Sequence, residues 1–400
     1  MRFPRAILLS VATAAAAIAA FGCGRKSTGG EPSPSPTPSS TPCVRAPKAA
    51  TRDRHVVVSR PYDVNANASS LWEVLVLSSG GALSRPGTTF TMGRATSGRI
   101  VFTPDGEIGI VAQEDGSLGV FRIDAAGVSV VDSAFHGSFY ADRVVMGPDG
   151  TEALVIDPDT LANGGGIFRV AIGCDGHLTD AGPLATAAAP HAAAFLPNKR
   201  LFAASGPLLG APAGSDAELL GAGAPPALLD AVDAFGDDLG IVSAVAITSG
   251  GGYALLADDN PFSGVPERIA VVRITGDTLT ATQILSPVND PADLASSPFD
   301  GTVLVSSAEG NALLKITFDP MATTSAFTNA GAIAHIGAAP QLPVVMVTVD
   351  RGSLAGRVLV GENLGVRQVD FAPGGQVTDL GLFSFGSGLE QITGALGVEP

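Results

Sequence analysis

The stretch RIVFTPDGEIGIVAQEDGSLGVFRID, Arg99 to Asp124, decides the fold. It contains three short apolar runs, Ile100 to Thr103, Ile108 to Ala112 and Leu118 to Ile123, separated by Pro-Asp-Gly and Glu-Asp-Gly turns. Apolar runs this short, bounded by Gly and Asp, are typical of strands rather than helices. Because a three-stranded meander cannot bury its own faces, its packing partners must be similar segments elsewhere in the chain.

The first strand and turn of this stretch recur about every fifty residues. One clear copy is Val144–Gly150 (VVMGPDG). Weaker copies are Ala192–Lys199, Val245–Gly251, Leu294–Gly301, Val344–Gly352 and the terminal Gln391–Pro400. A second signal, a glycine turn followed by a short strand, has the same period and is marked by Gly81, Gly127, Gly176, Gly276 and Gly375. The intervals from Gly176 to Gly276 and from Gly276 to Gly375 are each about twice the period. Each therefore predicts one degraded copy, near residues 226 and 325.

A repeat of this length built from about four strands is the unit of a β-propeller. Three strands at the start of the chain, His55–Ser59, Leu71–Leu77 and Thr89–Met92, have no inner partner, and the C-terminal strand Gln391–Val398 supplies one. We therefore predict an all-β, seven-bladed β-propeller with four-stranded blades over residues 55–400. Pairing of the C-terminal strand with the first three strands closes the ring and leaves no open sheet edge.

The segments FTPDGEIGIVAQEDGSLGVFRID and MGPDGTEALVID resemble the repeats of YVTN-type and lactonase-like seven-bladed propellers. The resemblance covers about residues 55–400 and implies the propeller fold. It also offers a lactonase-like hydrolase as a candidate activity. A WD40 propeller is disfavoured, since Trp72 is the only tryptophan and Glu73 follows it, and the Gly-Gly doublets of kelch blades are missing.

Composition excludes two classes of protein. The chain is 46% hydrophobic, which argues against disorder, and its formal net charge is −15. Residues 201–350 contain sixteen acidic and three basic side chains. An acidic surface of this kind argues against nucleic acid as a partner, because phosphates require a basic surface.

The N-terminus has the pattern of an export signal. Arg2 and Arg5 precede the apolar run Ala6–Ala20, and the Ala20-Phe21-Gly22-Cys23 sequence that follows resembles a bacterial lipobox. We predict a signal peptide over residues 1–22, acylation of Cys23 and a Pro/Ser-rich tether over residues 23–54. Ala20 and Phe21 depart from the usual lipobox, and the A-x-A sequence starting at Ala17 allows ordinary secretion instead.

This pattern predicts an exported protein. By resemblance to lipoprotein sorting, the Gly24 that follows Cys23 favours the outer membrane or the cell surface. A periplasmic or secreted protein is the alternative. The expected membrane contact is through the lipid anchor only.

With Cys23 acylated, Cys43 and Cys174 remain as an even pair in an oxidising compartment, which predicts a disulfide between them. Twelve residues separate Cys43 from the first strand at His55, and this length reaches about 40 Å when extended. Two free thiols, or a bond between chains, are the alternatives.

Three long loops are expected on one face of consecutive blades, the third to the fifth, at residues 157–166, 206–216 and 258–266. Binding groups concentrate in such loops on rigid scaffolds, so we expect any ligand there. The oxygen-bearing side chains of these loops are Asp157, Asp159, Asn163, Asp258, Asp259 and Asn260. They suit a hard cation such as calcium, although a closing glutamate is missing. The alternative is that they cap their own turns.

A second candidate site is the mouth of the central channel. Asp142, His191, Ser243 and Asp293 lie about seven residues before the turns of their blades, which predicts that they share one ring. His136 and His335 lie on other crossovers. In lactonase-like and metal-binding propellers, acidic and His residues act at such a place; the alternative is ordinary polar lining.

No nucleophile elbow, metalloprotease helix, phosphate loop or cofactor fingerprint is present in the sequence, so we assign neither catalytic nor metal-binding residues. No cofactor is expected apart from the candidate calcium ion. The sequence favours a binding scaffold over an enzyme, at the cell surface or in the periplasm, for a protein, glycan or small molecule. The alternative is a lactonase-like hydrolase that uses the channel-mouth acids and His191.

Overall fold

Seven antiparallel sheets, the blades, surround one axis. The strands of each blade are given below from the innermost to the outermost. The computed structural model describes residues 43, 45–60, 70–96, 98–159, 165–184, 190–205, 215–222, 226–236, 240–259, 266–286, 288–322, 324–386 and 394–400. All of them belong to one unit, Cys43–Pro400. No helix in this part of the chain is long and apolar enough to span a membrane.

Blade 1 contains β29 (Ala395–Val398), β1 (Arg54–Arg60), β2 (Leu71–Leu77) and β3 (Leu83–Thr91), and β4 (Gly98–Arg99) pairs in parallel with β29. Blade 2 contains β5 (Val101–Phe102), β6 (Ile108–Ala112), β7 (Leu118–Asp124) and β8 (Gly127–Phe135). Blade 3 contains β9 (Arg143–Met146), β10 (Glu152–Asp157), β11 (Gly166–Ile172) and β12 (Leu178–Leu184). Blade 4 contains β13 (Pro190–Phe195), β14 (Leu201–Ser205), β15 (Ala217–Leu220) and β16 (Leu228–Val232).

Blade 5 contains β17 (Val242–Ile247), β18 (Tyr253–Asp258), β19 (Arg268–Thr275) and β20 (Thr278–Leu285). Blade 6 contains β21 (Pro291–Ser296), β22 (Val303–Ser307), β23 (Ala312–Phe318) and β24 (Phe327–Ala332). Blade 7 contains β25 (Val345–Thr348), β26 (Arg357–Glu362), β27 (Gly365–Ala372) and β28 (Gln376–Ser384), with a short 3-10 helix at Gly352–Leu354. The seven-bladed fold predicted from the repeats is thereby confirmed.

The predicted closure of the ring is also confirmed. In blade 1, Val57 of β1 pairs with Gly397 of β29, so the C-terminal strand is the inner strand of the first blade. The innermost strands contact one another all the way round, from β5 through β25 to β29 and back to β5. A closed ring leaves no blade without neighbours on both sides.

The core consists of seven apolar layers, each between two adjacent blades. The layer between blades 1 and 2, for example, contains the buried side chains of Trp72, Ile100 and Phe121. Alternate residues of each strand enter the layers on its two sides, which is why the second strands of the blades read as continuous apolar runs. This packing holds the inner strands, and hence the channel wall, rigidly.

The turn after each inner strand defines what we call the bottom face, and the opposite ends of these strands lie on the top face. The two degraded turns predicted near residues 226 and 325 are the connections β15–β16 and β23–β24, closed by hydrogen bonds from Gly221 N to Ala227 O and from Asp319 N to Ala326 O. Both connections lie where the fifty-residue period places them.

One strand was placed wrongly. The third strand begins at Leu83 rather than at Thr89. The register moves from Val76 opposite Ser84 to Val74 opposite Thr88, so Arg85, Pro86 and Gly87 form a bulge on the outer edge of blade 1. An edge strand tolerates proline and a bulge because the outer row of amides has no partner strand to lose.

Residues 45–53, which we call the N-terminal strap, lie on the bottom face. Cys43, just before the strap, forms a disulfide with Cys174 in the β11–β12 turn of blade 3, with 5.4 Å between the Cα atoms. Arg45 donates to Gly173 O at 2.6 Å and pairs with Asp105 of blade 2 at 3.3 Å. The chain thus reaches β1 along the bottom face of the propeller.

Candidate channel site

The inner strands share one register, which identifies equivalent positions in all seven blades. In each blade an amide just after the inner strand donates to a carbonyl at the start of the second strand, as Thr103 N does to Ile108 O and Gly147 N to Glu152 O. The position four residues before this amide is occupied by Arg99, Arg143, Ala192, Ala244, Asp293, Val345 and Ala395. Three of the seven positions therefore carry a charge, and the other four carry small or branched apolar side chains.

The predicted ring residues occupy two adjacent levels of this wall. Asp142, His191 and Ser243 lie one residue before the level of Arg143, Ala192 and Ala244. Asp293 lies at the same level as Arg143, Ala192 and Ala244, which is one residue further along the strand than Asp142, His191 and Ser243. His191 and Ser243 are each the extra residue of a strand bulge, since the register skips them.

A cavity of about 240 Å³ lies between the inner strands of blades 2 to 7. Its wall is largely made of small apolar residues such as Ala192, Ala244 and Val344. The polar side chains that line it, within the described part of the chain, are Thr96, Arg99, Asp142, Arg143 and Asp293. A cavity of this size accepts a small molecule, and its charged groups give that molecule an orientation.

Arg99 and Asp293 form an ion pair between distant blades. Arg99 Nη2 donates to Asp293 Oδ1 at 2.8 Å and to Leu294 O at 2.6 Å, and Nε approaches Oδ2 at 3.3 Å. Asp293 also accepts hydrogen bonds from Met346 N at 2.7 Å and from its neighbour Leu294 N at 2.8 Å. The carboxylate therefore joins blade 6 to blade 7 and to the start of blade 2, which is a structural role.

Arg143 spans a similar gap. Its Nε donates to Asp142 Oδ2 at 3.2 Å, and its Nη1 donates to Ser243 O, two blades away. Ser243 Oγ is buried and donates to Pro291 O at 2.5 Å, so its hydroxyl is already engaged within the protein. Arg143 Nη2 and Arg99 Nη1 make no hydrogen bond to any of the described residues. These two groups are the donors that the cavity wall offers to a ligand.

His191 borders this charged group without lining the cavity itself. Its Nε2 is buried and has no hydrogen-bond partner within the described ranges. Burial and, to a smaller extent, the charge of Arg143 lower the pKa of His191 from 6.5 to about 4, while Asp142 opposes the shift. The imidazole is therefore neutral at pH 7 and has a ring nitrogen able to accept a proton.

The acids of the long loops have structural contacts. Asp157 is fully buried and accepts hydrogen bonds from Tyr140 N and Asp159 N. Asp258 accepts one from Ile241 N at 2.9 Å and one from Arg268 Nε at 2.9 Å, while Asp259 N donates to Ile241 O. Of these contacts, only the hydrogen bond from Asp159 N to Asp157 caps the loop of its own carboxylate, as the capping alternative expects.

Among the residues with described positions, no group of three or more His, Cys, Asp or Glu side chains is arranged to hold a metal ion such as calcium. Asn163, Asn260 and most of the three long loops lie outside those residues. Of the other histidines, His136 is exposed, and His335 lies 3.8 Å from Asp379.

Asp216 of blade 4 is a second group with an unusual proton affinity. Burial raises its pKa, the amide of Phe235 opposes this shift, and the neighbouring Asp233 adds to the rise, giving a value of about 7. Its Oδ2 accepts hydrogen bonds from the amides of Ala234 and Phe235, both at 3.1 Å. The carboxyl thus holds the crossover from blade 4 to blade 5.

Comparison with solved structures identifies related folds. A Pseudomonas aeruginosa periplasmic gluconolactonase has a TM-score of 0.61 and 16% identity, and the match covers 87% of this chain and 99% of that one. A protein from Bacteroides uniformis, described as a "putative 6-phosphogluconolactonase", has a TM-score of 0.60 and 14% identity over 86% of this chain and 99% of its own. A Lactobacillus plantarum protein has a TM-score of 0.63 and 11% identity over 87% and 99%.

No family model matches the chain, and neither does any curated protein. Identities this low show a shared fold only. The chain has the seven-bladed propeller fold of lactonase-like proteins, in agreement with the resemblance seen in its repeats.

Proposed function

We propose that this protein is a lactonase-like hydrolase that opens a small ring ester in the central channel. The observation that carries the proposal is the pair of arginine donors in the cavity wall, with a neutral histidine beside one of them. Solved structures with a similar fold include a gluconolactonase and a protein described as a "putative 6-phosphogluconolactonase", which favours a sugar lactone as substrate. A cavity of about 240 Å³ suits a ligand of that size.

The chemistry can be assigned to this chain's own residues. Nε2 of His191 accepts a proton from water as the water oxygen forms a bond to the lactone carbonyl carbon. The guanidinium of Arg143 stabilises the negative charge that develops on the carbonyl oxygen. The ring C–O bond then breaks, and the leaving alkoxide takes the proton back from His191. The product is the open hydroxy acid, and Asp142 holds Arg143 in position through its hydrogen bond to Nε.

We also propose that the chain is exported and anchored through a lipid on Cys23. The signal-like N-terminus supports this, and the bond between Cys43 and Cys174 fits an oxidising compartment. The reaction would then take place in the periplasm or at the cell surface.

Hydrolysis of glucono-δ-lactone and its 6-phosphate tests the proposed activity, with the spontaneous rate subtracted. We expect His191→Gln to lower kcat/KM by about 10²-fold or more, as for loss of a general base, and Arg143→Gln by at least about tenfold. Arg169→Gln is the control, because Arg169 belongs to the same blade and pairs with Glu152 on the surface. Folded protein without activity above background on either lactone would contradict the proposal and favour the binding scaffold instead.

A further inference from the structure

The bottom face carries a group of arginines that is unusual in so acidic a chain. Arg52 lies in the N-terminal strap, Arg54 begins β1, and Arg351 follows β25 of blade 7. We call these three residues the basic cluster. They lie beside the inner turns of blades 1, 2 and 7, at the opposite end of the inner strands from Asp142 and His191.

Two of these arginines have no carboxylate partner among the described residues. Arg54 is 1% exposed, and its guanidinium donates only to carbonyls: Glu399 O at 3.2 Å, Ala50 O at 3.3 Å and Arg351 O at 3.0 Å. Arg351 Nη2 donates to Pro104 O of blade 2 at 3.0 Å. A buried charge without a counter-ion is costly, so the cluster calls for a negative group.

The unused donors of the cluster point to the same conclusion. Nε of Arg52, Arg54 and Arg351 and Nη2 of Arg52 are all buried and have no acceptor within the described residues. The carboxylate of Glu399 lies close by, but it is shared by Arg52, Lys48 and His55. Four donor nitrogens of three neighbouring guanidinium groups therefore have no acceptor among the described residues.

The electrostatics of Arg54 show an excess of positive charge. Burial lowers its pKa, and the charges of Arg52 and Arg351 lower it further. Asp350 and Glu399 oppose this shift without cancelling it. Gly106 packs closely against the cluster, since a Cβ atom there would lie 3.2 Å from Arg52 Nη2.

The geometry points to a binding site for a small oxyanion of the phosphate or sulfate class at the basic cluster. Guanidinium groups bind such anions through paired N–H donors, and a tetrahedral oxyanion accepts several hydrogen bonds at once. Because Arg54 is buried under the strap, the site suits a small soluble anion and not a membrane surface. The bound anion would link the strap, blade 1 and blade 7, and would therefore stabilise the closed ring.

The test is calorimetric titration of inorganic phosphate and of sulfate into the full chain, at constant ionic strength set with chloride. The unmodified protein should bind phosphate or sulfate, and saturating anion should raise the midpoint of thermal unfolding. Arg351→Gln should weaken the affinity by at least about tenfold, the loss expected for one charge-assisted contact. Arg200→Gln removes one arginine from the same face, where it pairs with Asp277, and should change the affinity by less than about twofold.

Two results would overturn the site: no binding of either anion by the folded, unmodified chain, or equal affinities in Arg351→Gln and the unmodified protein. If Arg351→Gln does not fold, Arg52→Gln takes its place, because Glu399 then keeps Lys48 and His55 as partners. The site is independent of the proposed hydrolase, since neither lactone nor His191 enters the measurement.

Discussion

Replacing Glu399 measures how much one contact between the two ends of the chain contributes to the free energy of unfolding. Glu399 follows the C-terminal strand β29, and its side chain is fully buried. Its carboxylate accepts a hydrogen bond from His55 N at 3.0 Å and pairs with Arg52 and, at 3.7 Å, with Lys48. Replacing Glu399 with Gln keeps the size of the side chain and removes the charge that joins the end of the chain to its beginning.

The expected cost follows from the pKa of Glu399. Burial alone would raise this pKa, but the hydrogen bonds from His55 and Arg52 outweigh burial and lower it from 4.5 to about 2. Each pKa unit corresponds to about 1.36 kcal/mol, so the ionised carboxylate contributes on the order of 3 kcal/mol to folding at pH 7. Since the folded-state pKa is the lower one, this contribution is complete above the unfolded value of 4.5 and is lost as pH falls towards 2.

Urea unfolding at pH 7 and at pH 3, in chloride buffers, measures this cost. Trp72, the only tryptophan, is fully buried in blade 1 and reports on that blade by fluorescence. We expect Glu399→Gln to lose about 3 kcal/mol at pH 7 and roughly half of that or less at pH 3. Glu152→Gln is the matched control, because Glu152 pairs with Arg169 on the surface and such pairs contribute less than about 1 kcal/mol.

Two results would refute this reasoning. One is a cost for Glu399→Gln at pH 7 that lies within about 0.5 kcal/mol of the cost for Glu152→Gln, which is the usual scatter of surface substitutions. The other is a cost at pH 3 as large as the cost at pH 7, since the effect would then not come from the charge of Glu399.

Three further predictions concern the N-terminal region and the channel. Peptide mapping without reduction should recover Cys43 and Cys174 as one linked peptide, and replacing both with Ser should lower stability by about 2–4 kcal/mol; two unlinked peptides from exported protein would contradict the bond. In a Gram-negative host, Cys23→Ser should move the protein from the detergent phase to the aqueous phase, and unchanged partitioning would rule out acylation. The lactonase rate, corrected for spontaneous hydrolysis, should depend on neutral His191 and so fall only as pH drops towards about 4; a midpoint near 6.5 would show that the imidazole is not buried beside Arg143.

The fold could be predicted because turn geometry repeats even where the turn residue changes. Gly106, Gly150 and Gly251 close the inner turns of three blades with φ values of 68°, 66° and 69°. In blade 4 the same turn is closed by Lys199, with φ 64°, which explains why that copy reads poorly in the sequence. Glycine adopts this conformation most readily, so most copies of the turn carry it. The repeat can therefore be recognised from the other copies even where one glycine is replaced.

The channel site could be predicted only in part. The spacing to the turn placed Asp142, His191 and Ser243 on one level, because an inner strand has a fixed rise per residue. It did not identify Arg99 and Arg143, although Arg99 is the first residue of the stretch that decides the fold. Asp293 is 194 residues from Arg99 and three blades away around the ring, and Ser243 is 100 residues from Arg143 and two blades away. Contacts across a channel depend on the curvature of the ring, which a local pattern does not contain.

The two arginines of the channel, Arg99 and Arg143, differ in how fully the protein itself compensates their charges. Arg99 is held by the side chain of Asp293, which is largely buried and also accepts a hydrogen bond from Met346, so this pair ties three parts of the ring together. Arg143 is held by Asp142, which is 40% exposed, and by a backbone carbonyl. Its charge is therefore less fully compensated than that of Arg99, and it lies beside the neutral His191. The blade 3 and blade 4 side of the cavity is thus where a developing negative charge on a ligand would be stabilised most strongly.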